Sequence, residues 1–583
     1  MRELLLGNQA IARGAWEAGV TFAAGYPGTP STEIIETLAA RFPETNPRWS
    51  TNEKVAFEEG MGAAIGGLRV LVTMKHVGLN VAADPFMVFP YSGTNGGFVV
   101  ISADDPGMHS SQNEQDNRYL ARMGKVPVLE PSDAQECRDF ILEAYQLSEE
   151  FNTPVMLRTT TRLAHHKGLV ETGERNEVPK KEFVPDPKRF SVPIYRKFRR
   201  PTVEERINAL QEYAETFKYN RVERKKKSKV GVVTNGISYQ YVKEILPEAG
   251  VLRLGMTYPL PSKLLINFST RYDIVYVVEE GEPFIEEYMR SLGITNVKGK
   301  ELFGVIGEYS PGRLRQALGE GEIPKPITEG ITLLPRPPMM CVGCGHRQVF
   351  HVLRQLKVTV AGDIGCYTMG ALPPYEAEHT TFCMGASIGN AIGLERAGHE
   401  KVVAVIGDST FIHAGIPPLI DSVYNGSNLT LVIMDNSTTG MTGGQPHSAS
   451  GVNVMGQEAP KLDLVKIVQA TGVDHVTVVD TWQRKEVFRA INKAVSHPGP
   501  AVVIAQGPCQ QLPEMKRREI IPFVVDEEIC NKCNACFKVW CPAIKRTEDD
   551  FPVIVANECT ACTVCVQMCP VDAILLADAP VRV

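Results

Sequence analysis

The stretch KVVAVIGD (residues 401–408) passes from an apolar run to an acidic end, and NLTLVIMDN (428–436) has the same form. Short apolar runs rich in β-branched residues indicate buried strands. Similar runs at GFVVISAD (97–104), PVMLRTTTR (154–162) and PAVVIAQG (500–507) are separated by segments with helical periodicity. Strands that alternate with helices predict parallel sheets, so the expected fold class is α/β.

The ends of the first two strands carry polar residues at a recognisable spacing. Asp408 lies in GDST (407–410), and Asn436 follows it after twenty-eight residues, at the end of the next strand. This is the spacing of the thiamine diphosphate motif that is commonly written GDG…NN. Mg²⁺ takes octahedral oxygen ligands, and we expect three of them from Asp408, Asn436 and the backbone carbonyl of Thr438.

The residues around these ligands fit the same motif with two departures. Gly407 would let the diphosphate approach the backbone, and the helix N-terminus that follows would favour its charge. Ser409 replaces the usual glycine and Ser437 replaces the second asparagine, but neither position is a metal ligand in the motif. For the motif alone, an acidic strand end with a chance asparagine is the competing interpretation.

Eight of the fourteen cysteines lie between residues 530 and 569, in the arrays C-x2-C-x2-C-x4-C-P and C-x2-C-x2-C-x3-C-P. The second array is the pattern of bacterial two-cluster ferredoxins, in which the fourth cysteine of each run binds the other cluster. Zinc sites also use C-x2-C pairs, but they do not need three consecutive cysteine steps and a remote fourth ligand, twice. We therefore predict two [4Fe–4S] clusters, one held by Cys530, Cys533, Cys536 and Cys569 and the other by Cys541, Cys559, Cys562 and Cys565.

The composition narrows the class of protein. The chain has 583 residues, of which 43% are hydrophobic and 22% charged, and its net charge is −6. The chain is long enough for several domains of roughly 150 residues. It lacks the excess of basic residues that is typical of a nucleic-acid binder. It also contains no apolar run long enough for a membrane helix. The N-terminal segment is too polar for a secretory signal. We expect a cytoplasmic protein whose cysteines are not paired as disulfides.

Further motifs carry a resemblance to a known family. YPGTPSTEI (26–34), NEKVAFEEGMGAAIGG (52–67), DIGCYTMG (363–370) and MTGGQ (441–445) resemble those of indolepyruvate:ferredoxin oxidoreductase α subunits, which belong to the 2-oxoacid:ferredoxin oxidoreductase superfamily. The resemblance covers the whole chain, including the x4 spacing before Cys541. It implies thiamine-diphosphate-binding folds for the pyrimidine and diphosphate domains, with a middle transketolase-C-terminal-like α/β domain and a C-terminal ferredoxin-like α+β domain. The domain boundaries that we predict are 1–182 (pyrimidine), 183–229 (a basic, solvated linker with one helix), 230–325 (middle), 326–338 (a second linker), 339–515 (diphosphate and Mg²⁺) and 520–583 (two clusters).

The resemblance also assigns roles in the pyrimidine-binding domain. Glu53 lies nine residues before Gly62, as in the family's E-x8-G pattern, and would hydrogen-bond the aminopyrimidine ring of the cofactor. Glu58 and Glu59 are expected on the helix surface. Thr29 lies where the family's Y-P-x-T-P-S loop contacts the substrate carboxylate, although a residue that simply starts a helix is the alternative.

Four cysteines outside the C-terminal arrays resemble the ligands of a third, proximal cluster in related pyruvate and oxoglutarate enzymes. They are Cys341, Cys344, Cys366 and Cys509. This chain has C-V-G-C-G-H where the family commonly shows C-P-G-C-P-H, and α subunits of the indolepyruvate type are usually described with two clusters. Structural thiols near the cofactor are therefore the alternative to a third cluster.

The activity that the resemblance implies is oxidative decarboxylation of indolepyruvate and other arylpyruvates with CoA, giving arylacetyl-CoA, CO2 and reduced ferredoxin. The implied partners are a smaller β subunit, in an α2β2 assembly, and an external ferredoxin. Three alternatives stay open. The same chemistry could act on pyruvate, branched-chain acids or phenylglyoxylate; the chain could be a non-oxidative thiamine-dependent decarboxylase; or it could be an electron-transfer adaptor with a degenerate cofactor fold. Eight cluster cysteines argue against the decarboxylase, and the presence of Asp408, Asn436 and Glu53 argues against the adaptor.

Overall fold

The computed structural model describes residues 1–190, 193–225, 228–319 and 337–582. The chain divides into two compact units, Met1–Leu333 and Leu334–Val583. Apart from its last two residues, the linker predicted at 326–338 lies outside the described residues.

The first unit alternates strands and helices. Its strands are β1 (Arg2–Leu6), β2 (Phe22–Gly25), β3 (Pro47–Trp49), β4 (Val70–Lys75), β5 (Phe98–Asp104), β6 (Val128–Leu129), β7 (Val155–Thr160), β8 (Lys167–Glu171), β9 (Arg221–Glu223), β10 (Val230–Asn235), β11 (Gly250–Leu254), β12 (Met256–Tyr258), β13 (Ile274–Val278) and β14 (Val297–Lys298). Its helices are α1 (Gly7–Glu17), α2 (Thr32–Arg41), α3 (Glu53–Ile65), α4 (His76–Val81), α5 (Ala83–Ser92), α6 (Arg118–Gly124), α7 (Ala134–Glu150), α8 (Thr161–His165), α9 (Pro187–Phe190), α10 (Arg196–Thr216), α11 (Ser238–Ile245), α12 (Ser262–Ser269), α13 (Phe284–Ser291), α14 (Lys300–Phe303) and α15 (Pro311–Ala317).

A seven-stranded sheet in the order β12-β6-β7-β5-β4-β2-β3 organises the N-terminal half of this unit. All pairs are parallel except β12 with β6. Every residue of β5 and β7 is buried, because helices cover both faces of the sheet and leave no solvent side. The parallel arrangement brings the loops after β2, β4 and β5 to one edge of the sheet.

A second sheet of five strands follows in the order β14-β13-β10-β11-β9. Strand β9 lies inside the segment 183–229, which we predict as a linker with one helix, and it pairs antiparallel with β11. Strand β12, which follows β11 in sequence, joins the seven-stranded sheet instead. The chain thus crosses between the two sheets, and their apolar residues form one continuous core.

The second unit contains a parallel five-stranded sheet and a strand-poor C-terminal module. Its strands are β15 (Thr359–Ala361), β16 (Val402–Gly407), β17 (Thr430–Asp435), β18 (His475–Asp480), β19 (Ala501–Gln506), β20 (Glu519–Ile520), β21 (Phe523–Val525), β22 (Ile544–Arg546), β23 (Pro552–Ile554), β24 (Ile574–Leu576) and β25 (Val581–Arg582). Its helices are α16 (His346–Leu356), α17 (Ala386–Arg396), α18 (Asp408–Thr410), α19 (Ile416–Tyr424), α20 (Leu464–Ala470), α21 (Arg484–Val495), α22 (Pro513–Lys516) and α23 (Val564–Met568).

The five-stranded sheet has the order β15-β16-β17-β19-β18. Strands β16 and β17 are completely buried and are neighbours in register, Gly407 opposite Met434. The C-terminal module has three antiparallel strand pairs, β20 with β25, β21 with β24 and β22 with β23, and the cysteine-rich loops lie between them. Within the described ranges, no helix is both long enough and apolar enough to cross a membrane.

Candidate active site

Asp408 and Asn436 lie next to each other at the carboxyl edge of the second unit's sheet. Asp408 directly follows β16, Asn436 directly follows β17, and these two strands are hydrogen-bonded neighbours. Both side chains are buried. Open α/β sheets bind their ligands at this edge, so the two residues that we predict as Mg²⁺ ligands come together as the spacing suggested.

The carboxylate of Asp408 is held by backbone and side-chain donors. Its Oδ1 accepts the Ser409 N–H at 2.8 Å, its Oδ2 accepts the Ser437 N–H at 2.8 Å, and Nε2 of His447 lies 3.2 Å from Oδ2. Burial alone would raise the pKa of Asp408, but the His447 imidazole and the Ser409 N–H outweigh it and keep the pKa below its usual value. Asp408 is therefore ionised at neutral pH, as a metal ligand must be.

The other predicted cofactor contacts lie at the same edge. Ser409 and Thr438 are both buried there. Gly407 is required by packing, because a Cβ at this position would lie 2.7 Å from Cε1 of Tyr367. A carboxylate, an amide oxygen and the backbone carbonyl of Thr438 form the all-oxygen donor set that Mg²⁺ prefers, so these residues fit a magnesium diphosphate.

Cys341, Cys344, Cys366 and Cys509 come from three separate segments and form one group, which we call the inner thiol group. Burial raises the pKa of Cys344 to about 12, and the neighbouring thiols of Cys341 and Cys366 add to the rise. Burial also raises the pKa of Cys366 to about 11, with contributions from Cys509 and Cys341. Each thiol thus lies within electrostatic reach of at least two others.

The inner thiol group adjoins the Asp408–Asn436 edge on one side. The Cys509 N–H donates to the backbone carbonyl of Asn436 at 3.0 Å. A Cβ on Gly440 would lie 3.4 Å from Nδ2 of Asn436 and 3.5 Å from Sγ of Cys366. The thiols are therefore in contact with the same loops that carry the predicted Mg²⁺ ligands.

The group adjoins the C-terminal module on its other side. Arg347 donates to the carbonyl of Cys341 and to the carbonyl of Trp540, both at 2.7 Å. Tyr375 lies within electrostatic reach of both Cys344 and Cys541, the latter being one of the predicted cluster ligands. Within the second unit, the inner thiol group therefore adjoins both the Asp408 edge and the surroundings of Cys541.

Seven of the eight C-terminal cysteines lie near other members of their predicted sets. Burial raises the pKa of Cys565, and the Cys562, Cys541 and Cys559 thiols raise it further, so this set is compact. Burial likewise raises the pKa of Cys536, to which Cys530 and Cys533 contribute. For the eighth thiol, Sγ of Cys569 accepts the N–H of Ala573 at 3.2 Å.

Within the described ranges, no three His, Cys, Asp or Glu side chains are close enough to share a single metal ion. A [4Fe–4S] cluster has a different requirement, because its four thiolates bind a cluster of several atoms rather than one ion. Its thiol ligands bind as thiolates, so cluster binding displaces their protons. The thiol sets fit iron–sulfur clusters better than single-ion sites.

In the first unit, Glu53 is the first residue of α3 and is 4% exposed. The helix starts there because the side chain of Asn52 accepts the Val55 N–H at 2.9 Å. The Glu53 side chain lies over Gly78, where a Cβ would come within 2.7 Å of Oε1. By contrast Glu58 is exposed and pairs with Lys54. Glu53 thus has the buried position that its predicted role requires.

Thr29 lies in the loop between β2 and α2, beside a lysine that the sequence did not single out. The Lys75 side chain packs on Gly28, and its Nζ donates to the carbonyl of Ser110 at 2.8 Å. The Ser110 hydroxyl in turn donates to the carbonyl of Thr29 at 3.3 Å. Burial lowers the pKa of Lys75, although Asp105 and Glu53 partly oppose this effect. A partly buried cation therefore lies between Thr29 and Glu53.

Lys75 and His447 are the two site residues that sequence reasoning missed. Lys75 ends the apolar strand VLVTMK, and a charged residue at the carboxyl end of a buried parallel strand is a detectable signal. His447 follows a glycine-rich turn in GGQPH, and nothing in that pattern predicts its contact with Asp408.

Comparisons with known proteins agree with this architecture. Family models match "Pyruvate flavodoxin/ferredoxin oxidoreductase, thiamine diP-bdg" at residues 13–231, "Thiamine pyrophosphate enzyme, C-terminal TPP binding domain" at 363–505 and "4Fe-4S dicluster domain" at 523–570. The predicted fold class is thereby confirmed. The chain contains thiamine-diphosphate-binding domains and a module for two [4Fe–4S] clusters.

Full-length relatives are also similar. The indolepyruvate oxidoreductase subunit IorA of Archaeoglobus fulgidus is 41% identical, covering 98% of this chain and 97% of its own length. The subunit of the same name from Methanothermobacter marburgensis is 42% identical with the same coverage. A solved 2-oxoglutarate:ferredoxin oxidoreductase chain from Magnetococcus marinus aligns with a TM-score of 0.47 and 16% identity, over 55% of this chain and 65% of that chain. At the identity and coverage of the two subunits, the chain belongs to the family of indolepyruvate oxidoreductase IorA subunits.

Proposed function

We propose that the chain is the catalytic α subunit of an enzyme that oxidatively decarboxylates indolepyruvate and other arylpyruvates. One 2-oxoacid, one CoA and two oxidised ferredoxins would give one arylacetyl-CoA, one CO2, one proton and two reduced ferredoxins. The substrate class follows the names of the relatives. The observation that carries the redox part is the inner thiol group, which adjoins both the Asn436 loop and the surroundings of Cys541.

The roles of the residues follow from their positions. Thiamine diphosphate, when bound, supplies the electron sink for the loss of CO2, and the clusters accept electrons one at a time. Asp408, Asn436 and the Thr438 carbonyl would hold its Mg²⁺. Glu53 would exchange a proton with the aminopyrimidine nitrogen, and Lys75, beside Thr29, would attract the substrate carboxylate.

We further propose that the inner thiol group holds a third [4Fe–4S] cluster between the thiamine and the two C-terminal clusters. The mutual proximity of its four thiols and its contacts on both sides support this arrangement. Iron analysis of anaerobically purified protein tests it. Three clusters require about twelve irons per chain, whereas about eight would leave these thiols with a structural role.

The proposed enzyme works with a smaller β subunit in an α2β2 assembly and reduces an external ferredoxin. We place it in the cytoplasm, where fourteen unpaired cysteines and their clusters stay reduced. The assembly is the form that should be assayed, because this chain alone would lack the β subunit.

The deciding experiment is a panel of 2-oxoacids on the reconstituted complex, with viologen as the electron acceptor. We expect reduction that depends on thiamine diphosphate and CoA and is fastest with indolepyruvate. Faster turnover of pyruvate, a branched-chain acid or phenylglyoxylate would reassign the substrate. Aldehyde release without dye reduction would identify a non-oxidative decarboxylase. Complete inactivity with intact clusters and the β subunit present would favour an electron-transfer adaptor.

A further inference from the structure

Three arginines of the first unit line one surface pocket, and none of them has a carboxylate partner among the described residues. Arg189, Arg199 and Arg206 line a cavity of about 460 Å³, which we call the arginine pocket. They belong to the proline-rich basic segment that we predict as a solvated linker. Arg206 is nevertheless only 7% exposed, although a long basic side chain on a linker would normally stay in water.

The partners of these arginines are neutral. Arg206 donates to the carbonyl of Pro90 at 2.7 Å, and Arg199 donates to the carbonyl of Tyr91 at 3.1 Å. Arg189 donates to the carbonyls of Ser92 and Thr94 and to the side-chain oxygen of Asn152.

The guanidinium groups of the arginine pocket have no ion-pair partner among the described residues. By contrast, the adjacent Arg200 pairs with Glu204 at 2.5 Å. The one carboxylate that lines the pocket, Glu205, is exposed. The backbone carbonyls therefore position the guanidinium groups without supplying a negative charge.

The three positive charges act on one another. Burial lowers the pKa of Arg206 to about 10, and Arg199 and Arg189 lower it further. Burial together with Arg199 also lowers the pKa of Arg189, which the nearby Asp186 only partly offsets. Like charges held together under partial burial destabilise a fold, and a bound anion would remove this cost.

We propose that the arginine pocket binds a phosphate-bearing small molecule. Guanidinium groups bind phosphate oxygens in bidentate fashion, and three of them suit a diphosphate or a nucleotide. The cavity volume lies within the usual range for small-molecule sites, roughly 300–1,000 Å³. Two sources share this chemistry, namely a free diphosphate or nucleotide and the phosphorylated ADP part of CoA.

The arginine pocket is separate from the candidate active site of the same unit. Ser92 and Asn152 precede β5 and β7, so the pocket lies at the amino edge of the seven-stranded sheet. Lys75 ends β4 and Asp105 follows β5, at the opposite edge. Seven residues of strand separate these edges by about 20 Å. The pocket therefore shares no residue with the candidate active site, and only its assignment to CoA rests on the proposed reaction.

Anaerobic calorimetry on the full chain, saturated with thiamine diphosphate and Mg²⁺, tests the proposal. Pyrophosphate, ADP and CoA are titrated separately into the wild type, Arg199→Gln, Arg206→Gln and the matched control Arg200→Gln. We expect millimolar or tighter binding of pyrophosphate and ADP, weakened at least about tenfold in the two pocket variants and unchanged in Arg200→Gln. Tighter binding of CoA than of ADP, weakened in both pocket variants, would assign the pocket to CoA. CoA binding that both pocket variants leave unchanged, while their ADP binding is weakened, would assign it to free nucleotides.

Two results would overturn the proposal. One is a wild-type chain that binds neither pyrophosphate nor ADP nor CoA. Binding of an acidic peptide in place of these three ligands would also overturn the proposal. The other is binding by Arg199→Gln that equals the wild type. Arg199 is only partly buried, so this variant remains informative even if Arg206→Gln fails to fold.

Discussion

At the scale of single residues, burial and neighbouring charge distinguish the proposed catalytic groups from chemically identical side chains nearby. Glu53 and Glu58 lie on the same helix, but Glu53 is enclosed at its first turn and Glu58 is exposed to solvent. Lys54 pairs with a carboxylate on the surface, while Lys75 is held between Thr29 and Glu53 and has a lowered pKa caused chiefly by burial. Perturbed and enclosed ionisable groups are characteristic of functional sites.

Glu53→Gln should lower kcat of the complex by at least about 100-fold, because an amide cannot exchange a proton and general acid–base groups contribute roughly 10²–10⁴. The amide keeps the size of the side chain, so the melting temperature should change little. Glu58→Gln on the same helix is the matched control and should retain full activity. A Glu53→Gln enzyme with more than half of the wild-type rate would contradict the assignment.

Lys75→Met should raise KM for the 2-oxoacid about tenfold or more, which corresponds to ~1.4 kcal/mol of binding, with a smaller effect on kcat. Methionine keeps the apolar stem that packs on Gly28 and removes only the cation. Steady-state kinetics of this variant, with Lys54→Met as the control, separate the two parameters. An unchanged KM would show that the cation does not face the substrate.

At the scale of elements, the loop 341–345 joins the sheet domain of the second unit to its C-terminal module. Gly343 has φ 69°, a left-handed conformation, and a Cβ there would lie 2.0 Å from Oγ1 of Thr560. The indole N–H of Trp482 donates to the Gly343 carbonyl at 2.9 Å. The loop therefore carries Cys341 and Cys344 in a conformation that only glycine allows.

Gly343→Ala should destabilise the protein by ~1–2 kcal/mol for the left-handed backbone and by a further ~1–3 kcal/mol for the clash with Thr560. Gly398→Ala isolates the backbone contribution, since Gly398 has φ 89° and a Cβ there would meet no atom within 4 Å. Thermal unfolding and iron content are measured for both variants. Only Gly343→Ala should also lose iron, and equal behaviour of the two would disprove the packing argument.

At the scale of the whole molecule, buried charges connect the two sheets of the first unit. Arg158, within β7, pairs with Asp104 at 2.6 Å and with Glu130 at 2.7 Å. Arg118 reaches Glu279 at 2.7 Å, just after β13 of the second sheet. Buried networks of this kind tolerate loss of one partner poorly. They fix how the two sheets pack against each other.

Glu280, beside this network, should make the stability depend on pH. Burial raises its pKa from 4.5 to about 7, and the neighbouring Glu308 contributes. Between pH 4.5 and about pH 7, Glu280 is protonated in the folded chain and ionised in the unfolded chain. Its contribution to stability therefore falls as pH rises, by ~3 kcal/mol in total. Glu280→Gln removes this titration. Its melting temperature relative to wild type should therefore rise from pH 4.5 to pH 7, and a difference that does not vary with pH would contradict the prediction.

The sequence by itself determined the features that depend on local pattern. The strands β16 and β17 with Asp408 and Asn436 at their ends, and the closely spaced C-terminal cysteines, follow from short-range periodicity and from ligand spacing. These patterns predicted the α/β class and the two-cluster module, which the comparisons confirm. The Mg²⁺ ligands and the cluster assignments stay predictions, although the fold places Asp408 beside Asn436 and seven of the eight C-terminal cysteines near others of their sets.

Only the tertiary structure decided what depends on segments distant in sequence. The tertiary structure brings the inner thiol group together from three segments. It pairs β12 with the seven-stranded sheet, and it places Lys75 near both Thr29 and Glu53. It also enclosed Arg206, from a segment whose composition predicts a solvated linker. The physical reason is that burial and electrostatic environment are set by which elements pack together, and a one-dimensional pattern of charge and hydrophobicity does not contain that information.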